Sequence, residues 1–347
     1  MAHNATNGSI YGPISGAISG QNGSAIPPLP PSSFAPRVEN RVKPEEWWYT
    51  ENGRSYDTFR RGKYMFPMDE GEMDRMDIFH KFFLVARRDN SCYGGLCHRE
   101  LPHHPKILDL GCGTGIWVID MADRHQGRAN ILGWDLSLIQ PLRIPPGVEF
   151  QRRDIEEPWS GVEECSFDLI HMKMLAGSVE SWPALYSRIF RYLKPGTGLF
   201  EHVEIDFTPK SENGDLPEDS HLRIWLHELT VAMERAGRPI TANPHTAGLL
   251  EHLGYVDVKQ TTKRIPFNTW PPDENEKEMG RWFNLALTQG LHALSIAPLT
   301  RMNGYDPDQV KDLIAKVQKE LCTRGMRSYC TMYIWTARRP PTPIHRA

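Results

Sequence analysis

Residues 106–116 read Lys-Ile-Leu-Asp-Leu-Gly-Cys-Gly-Thr-Gly-Ile, an apolar run that ends in three alternating glycines. Ile107, Leu108 and Leu110 suit a buried parallel strand, and Gly111, Gly113 and Gly115 suit a tight turn into a helix starting near Ile116. Glycines without Cβ atoms let the backbone lie against a ligand and take turn conformations that other residues avoid. A dinucleotide site would place its third glycine at 116, where this chain has Ile116. The spacing is G-x-G-x-G with Asp109 two residues ahead, and the dinucleotide fingerprint is not matched. Cys112 lies inside the turn with no His, Asp or Asn at a recognisable catalytic spacing, and it reads as a small packing residue.

Three further strand ends supply polar groups in order. Residues 130–136 form a second strand closing on Asp135 and Leu136, and a carboxylate there can accept both hydroxyls of a ribose. Two charge-assisted hydrogen bonds of about 1.5–3 kcal/mol each would fix such a sugar. Residues 148–154 give a third strand ending at Asp154 and Ile155, and residues 167–172 a fourth ending at His171 and Met172. Glycine loop, acidic strand end, Asp-Ile pair and Phe-Asp-Leu-Ile strand in this order resemble the class I S-adenosylmethionine (SAM) methyltransferases. The resemblance implies an α/β fold with a Rossmann-like, doubly wound, seven-stranded sheet. It implies SAM as cofactor and S-adenosylhomocysteine as product. The contacts it carries over begin with Asp109, Gly111, Cys112, Gly113, Thr114 and Gly115. Asp135 and Leu136 would take the ribose, Asp154 and Ile155 the adenine, and His171 and Met172 would face the methionine part.

The elements that must hold these groups alternate along the chain. Helices are expected over 182–193, 218–236 and 244–253, and strands over 197–207, 256–267 and 330–337. That alternation implies a parallel doubly wound sheet. About sixty residues separate the last two strands, with helical patterns near 273–296 and 307–322 that would roof an acceptor pocket or present a partner surface. Ahead of the glycine loop, Asp69 reads as an N-cap with Glu72 as its reciprocal partner, and Met73, Met76, Phe79 and Phe83 give the helix an apolar face. Tyr56, Arg60 and Tyr64 are less easily explained as core and suggest a lid over the cofactor. The domain plan is a low-complexity tail (1–43), a helical lid segment (44–100), a methyltransferase domain (101–340) with insertions near 208–255 and 268–329, and a short tail (341–347).

Composition bounds the function class. Of 347 residues 39% are hydrophobic and 24% charged, enough for a large core, while a net charge of −3 supplies no electrostatic attraction to nucleic acid or anionic membrane. Six cysteines at 92, 97, 112, 165, 322 and 330 form no C-x-x-C pair and no zinc spacing, so no metal is expected and reduced thiols in an intracellular compartment are. No apolar run is long enough to span a membrane and no secretory signal is present. Residues 1–40 hold two charged residues amid Asn, Gly, Ser and Pro, a mixture that cannot bury enough surface to order itself.

Several longer runs narrow the family. Residues 51–56 (Glu-Asn-Gly-Arg-Ser-Tyr), 64–67 (Tyr-Met-Phe-Pro), 74–81 (Asp-Arg-Met-Asp-Ile-Phe-His-Lys), 182–186 (Trp-Pro-Ala-Leu-Tyr), 203–206 (Val-Glu-Ile-Asp) and 281–285 (Arg-Trp-Phe-Asn-Leu) closely resemble the LaeA-like fungal methyltransferases. The resemblance spans roughly 45–340. It implies a nuclear protein, with the cytoplasm as a second location, that works with velvet-domain proteins to set transcription of biosynthetic gene clusters and development. The methyl acceptor stays open, and so do two other readings: a biosynthetic enzyme methylating a small metabolite on O, N or C, and a SAM-binding scaffold without turnover. Methyl transfer from a sulfonium is an in-line displacement in which positioning does much of the work. A general base is needed only when the acceptor proton must leave early, and His171, His202 and Glu204 are the candidates. No Asn-Pro-Pro-Tyr or Asp-Pro-Pro-Tyr follows the fourth strand, where Ser178 and Val179 stand instead; this argues against the usual amino-methyltransferases of DNA bases and glutamine.

Overall fold

A computed structural model describes residues 47–87 and 101–341. The expected tail at 1–43, the part of the lid segment at 88–100 with Cys92 and Cys97, and residues 342–347 fall outside the described residues.

The N-terminal segment contributes strands as well as a helix. β1 (Trp48–Glu51) and β2 (Arg54–Asp57) pair antiparallel around a turn in which Asn52 and Gly53 both take positive φ, the backbone that a two-residue hairpin requires. Helix α1 (Glu70–Ala86) starts at Asp69, whose side chain accepts the Glu72 N–H at 3.1 Å. The expected reciprocal bond is replaced. The Glu72 carboxylate is buried and accepts from Arg75 Nε at 2.8 Å, because one turn along the helix a guanidinium is the stronger partner. Arg54 donates to both oxygens of Asp69 at 2.6 and 2.8 Å, so the cap ties hairpin to helix.

The main sheet holds β3 (Lys106–Leu110), β4 (Asn130–Asp135), β5 (Val148–Arg152), β6 (Leu169–Lys173), β7 (Leu199–Ser211), β8 (Val256–Pro266) and β9 (Ser328–Arg338) in the order β5-β4-β3-β6-β7-β9-β8. The first five are parallel, as the helix–strand alternation requires. β9 runs antiparallel to both β7 and β8, so the sheet is mixed rather than wholly parallel. The order reverses between β3 and β6, and open α/β sheets bind ligands at such a switch point beyond the strand ends.

Period-2 alternation sorts the central strands onto two faces. Leu108, Leu110, Ile170, Met172 and Phe200 pack toward α3 (Trp182–Tyr192) and α5 (Thr246–His252). Ile107, Ile131, Leu169 and Leu199 pack against α2 (Ile116–Arg124), and Val203 and Ile205 against α1, α4 (His221–Arg235), α6 (Glu274–Asn303) and α7 (Pro307–Leu321). The long insertion thus joins the core through Phe283, Leu287 and Leu291 of α6. Its far end holds the hairpin by Arg301, which bonds Glu51 and the Tyr49 hydroxyl.

Candidate functional site

The glycine loop leaves β3 with Gly111, Gly113 and Gly115 at φ +69°, +55° and +77°. A Cβ on Gly111 would lie 2.3 Å from Leu175, and one on Gly115 2.4 Å from Phe150, so neither position accepts a larger residue without repacking. Gly111 and Cys112 donate to the Trp134 carbonyl at 2.8 and 3.0 Å, which fastens the loop to the end of β4. There Asp135 accepts Gly113 N–H at 2.8 Å and Ser137 N–H at 3.0 Å. Burial pushes its carboxyl up to about 6; the two N–H donors restrain the rise, and neighbouring Asp109 and Asp57 add to it. The Gln140 amide closes the loop from below by donating to the Gly113 carbonyl at 2.7 Å.

Helix α1 forms the facing wall. Met76 stands where a Cβ on Gly113 would come within 2.8 Å of its sulfur, and Thr114 donates to Asp77 at 2.7 Å. Tyr64 lies between the β4 end and α1: burial raises its phenol first, and the negative charges of Asp135 and Glu72 add to the rise. Asp135, Tyr64 and Lys173 keep part of their surface accessible at this end of the sheet. Leu136 also keeps accessible surface at this end.

At the end of β5, Asp154 is 8% exposed and accepts the Lys63 ammonium at 2.7 Å and the Glu156 N–H at 3.0 Å. Burial alone would raise this carboxyl. The Lys63 and Glu156 donors, with the Lys63 and Arg60 charges, outweigh it and hold the group below the usual range. Arg60 reaches Asp154 at 3.5 Å and Glu157 at 2.7 Å, so it stands at the rim of the cleft. Ile155 packs its side chain on the opposite core, and its carbonyl accepts Trp159 and Arg188. Asp57 bolts the hairpin across this end, accepting the Ser137 hydroxyl at 2.9 Å and the Arg152 guanidinium.

Other expected site residues lie beneath the cleft. His171 is 1% exposed, stacked 3.8 Å from Trp117, and its Nδ1 meets Asp109 Oδ1 at 2.7 Å. Burial holds its pKa well below the ordinary imidazole value, so it is neutral. The register aligns Asp109, His171 and Glu201 in one row, and Arg87 closes the row on Glu201 at 2.9 and 3.1 Å. Met172, His202 and Glu204 project to the other face of the sheet. His202 sits between Trp182 and Trp335 and meets Tyr186 at 3.1 Å and Glu204 at 3.3 Å, beside a cavity of about 10 Å³. Glu204 accepts the backbone N–H groups of Leu175 and Ala176, which makes it a clamp on the loop after β6. Tyr56 packs under Arg301, with the cation 4.7 Å from its ring, and lies at α6 rather than over the cleft. Cys112 is buried, with its thiol pushed well up by burial. Lys63, Asp57, Gln140 and Lys173 carry the site without having been expected there. Lys63 alone had a signal, its place in the Tyr- and Arg-dense stretch around Arg60 and Tyr64.

A family profile described as a methyltransferase domain matches residues 77–260. "Secondary metabolism regulator LAE1" of Cochliobolus heterostrophus is 51% identical over 299 residues, covering 84% of this chain and 95% of that protein. This chain belongs to the LaeA-like methyltransferase family. "Secondary metabolism regulator laeA" of Fusarium oxysporum is 38% identical over 90% of this chain and 98% of its own length, and that of Monascus pilosus 43% over 84% and 78%. A match over 90% of the chain extends past the span of residues 77–260 that the profile covers. Among the described residues of this LaeA-like chain no group of His, Cys, Asp or Glu is placed to hold a metal ion, and no helix is long and apolar enough to cross a membrane.

Proposed function

We propose that this protein is a SAM-dependent methyltransferase that regulates secondary-metabolite gene clusters and development, in the nucleus and in association with velvet-domain proteins. The observation that carries the cofactor reading is Asp135, held at the glycine-loop end of the cleft with both oxygens oriented by backbone N–H groups. Each carboxylate oxygen has a second lone pair, so two ribose hydroxyls can bond without displacing those donors. Asp154 stands at the adenine end with Lys63 across it. The residues present fit a nucleoside with an amino-acid tail. When bound, SAM supplies an electrophilic methyl on its sulfonium. Asp135 and Leu136 would orient the ribose, Asp154 and Ile155 the adenine, and Tyr64 with Met76 would exclude water from the loop side.

A scaffold reading has one observation in its favour. His171, His202 and Glu204, the side chains best suited to take an acceptor proton, are all at most 2% exposed and committed to partners within the fold. One experiment separates the readings. Asp135→Ala is expected to weaken S-adenosylhomocysteine, measured by titration calorimetry, about ten- to a hundredfold. An unchanged dissociation constant would remove the site assignment. Given weakened binding, loss of cluster expression in a fungus carrying Asp135→Ala supports transfer, and retained expression supports the scaffold. Co-elution of the pure chain with a velvet-domain protein tests the partner, and separate peaks would count against it.

A further inference from the structure

Lys63 stands in the run of turns between β2 and α1, with its N–H on the Arg60 carbonyl at 2.9 Å and its ammonium on Asp154. The two oxygens of Asp154 have different partners. Oδ1 accepts the Glu156 N–H at 3.0 Å, while Oδ2 accepts Lys63 Nζ at 2.7 Å and lies 3.5 Å from Arg60 Nε. The Asp154 side chain is 4% exposed and that of Lys63 24%, so the lysine lies over the carboxylate on the solvent side. Asp135 differs, keeping accessible surface beyond its two N–H donors. A second carboxylate is within reach of the ammonium. Glu156 Oε2 lies 3.4 Å from Lys63 Nζ; it is fixed by Arg238 at 3.0 Å, and its Oε1 by the Glu180 N–H at 2.8 Å. Arg60 is already spent on Glu157 at 2.7 Å.

An amino group on a purine and a lysine ammonium are both donors. They cannot bond each other, and at Asp154 they seek the same oxygen. We propose that Lys63 is a displaceable stand-in for the adenine amino group: it holds Asp154 until the base arrives, and then swings to Glu156. This rests on the SAM reading above, in which Asp154 takes the adenine. The exchange bears on which base the site selects. Adenine must displace the ammonium before it can donate to Oδ2. Hypoxanthine carries a carbonyl oxygen where adenine carries the amine, so it accepts from Lys63 and leaves the ion pair in place. Lys63 therefore costs affinity for an adenine ligand and narrows its advantage over a hypoxanthine one.

The test compares S-adenosylhomocysteine with S-inosylhomocysteine, which differs only in having hypoxanthine for adenine. Both are titrated by calorimetry into the full chain, Lys63→Met and Lys63→Gln, with near-ultraviolet circular dichroism as the check on folding. Lys63→Met is expected to tighten S-adenosylhomocysteine about three- to tenfold, the worth of a partly exposed, hydrogen-bonded ion pair. S-inosylhomocysteine should not share the gain, so the ratio of the two affinities rises by at least that factor. Lys63→Gln, which removes the charge and keeps a donor, should move both quantities in the same direction by less. Unchanged or weaker S-adenosylhomocysteine binding in Lys63→Met overturns the inference. So does an unchanged ratio, which would mean that the lysine only loosens or tightens the segment as a whole. If the unaltered chain binds neither ligand, the SAM reading fails and this one with it; binding of S-adenosylhomocysteine with no gain in Lys63→Met leaves that reading standing and removes only this one.

Discussion

As the proposed ribose partner, Asp135 would serve two requirements that conflict: it must sit in a site dry enough to hold a nucleoside, and it must stay ionised to accept hydroxyls. Burial raises its carboxyl to about 6, so the charged form dominates at neutral pH by a narrow margin. Hydroxyl donors from a ligand favour the carboxylate, which places its pKa in the complex below that of the free site. The sign follows: nucleoside affinity is full above about pH 6 and falls as pH drops through it, approaching tenfold per unit. Calorimetry between pH 5 and pH 8 checks this, with Asp135→Asn as the reference that should lack the step. A profile flat from 5 to 8 would mean that Asp135 is not the ribose partner. His171 gives the contrasting case at the same scale. Stacked on Trp117 and held neutral, it buttresses Asp109 from below and has no route to a substrate proton.

Among the elements, the N-terminal hairpin bears on the cleft more than its eight strand residues suggest. It is held at its open end by Asp57 on Ser137 and Arg152, and at its turn end by Glu51 on Arg301 and by Arg54 on Asp69. Asp57→Ala removes the first of these and should speed amide exchange across β1–β2 by about tenfold, with β3 and β6 unaffected. Mass-spectrometric hydrogen exchange reads this directly, and equal protection in the variant would show that the hairpin is held by packing alone. Much of the element plan was legible because local rules govern it. The glycine loop, Asp135, the Asp69 cap and the helices at 182–193 and 307–322 follow from turn chemistry, capping and 3.6-residue periodicity. What escaped depends on contacts distant in sequence. Lys63 meets Asp154 across ninety-one residues and Asp57 meets Arg152 across ninety-five, and no spacing within either segment announces the other. Lys173 was hidden for a related reason. A lysine after a strand reads as a solvated end until the packing of α1 over it is known. His202 and Glu204 were legible as polar residues on a strand but not as to face, since β7 is buried on both sides.

At the scale of the molecule, a buried polar row crosses the sheet beneath the cleft, from Asp109 through His171 to Glu201 and Arg87. Both Arg87 and Glu201 are nearly sealed from water. Removing one partner leaves the other as an uncompensated buried charge, so Arg87→Ala should lose about 3–5 kcal/mol in urea unfolding, and Arg87→Ala with Glu201→Leu should recover much of it. A loss under about 1 kcal/mol in the single variant would show that water reaches the row. The position of β9 has a consequence for how this protein is made. β9 follows every other strand in the chain, yet it occupies an interior place between β7 and β8 and pairs along nearly the full length of each. On the ribosome, β7 and β8 emerge with open edges and no partner for each other, and they wait while α6 and α7 are synthesised. The sheet closes only when β9 clears the exit tunnel. The nascent protein therefore holds a gap the width of one strand from the synthesis of β8 until β9 emerges, and the cleft-bearing half is complete in sequence well before the half that braces it.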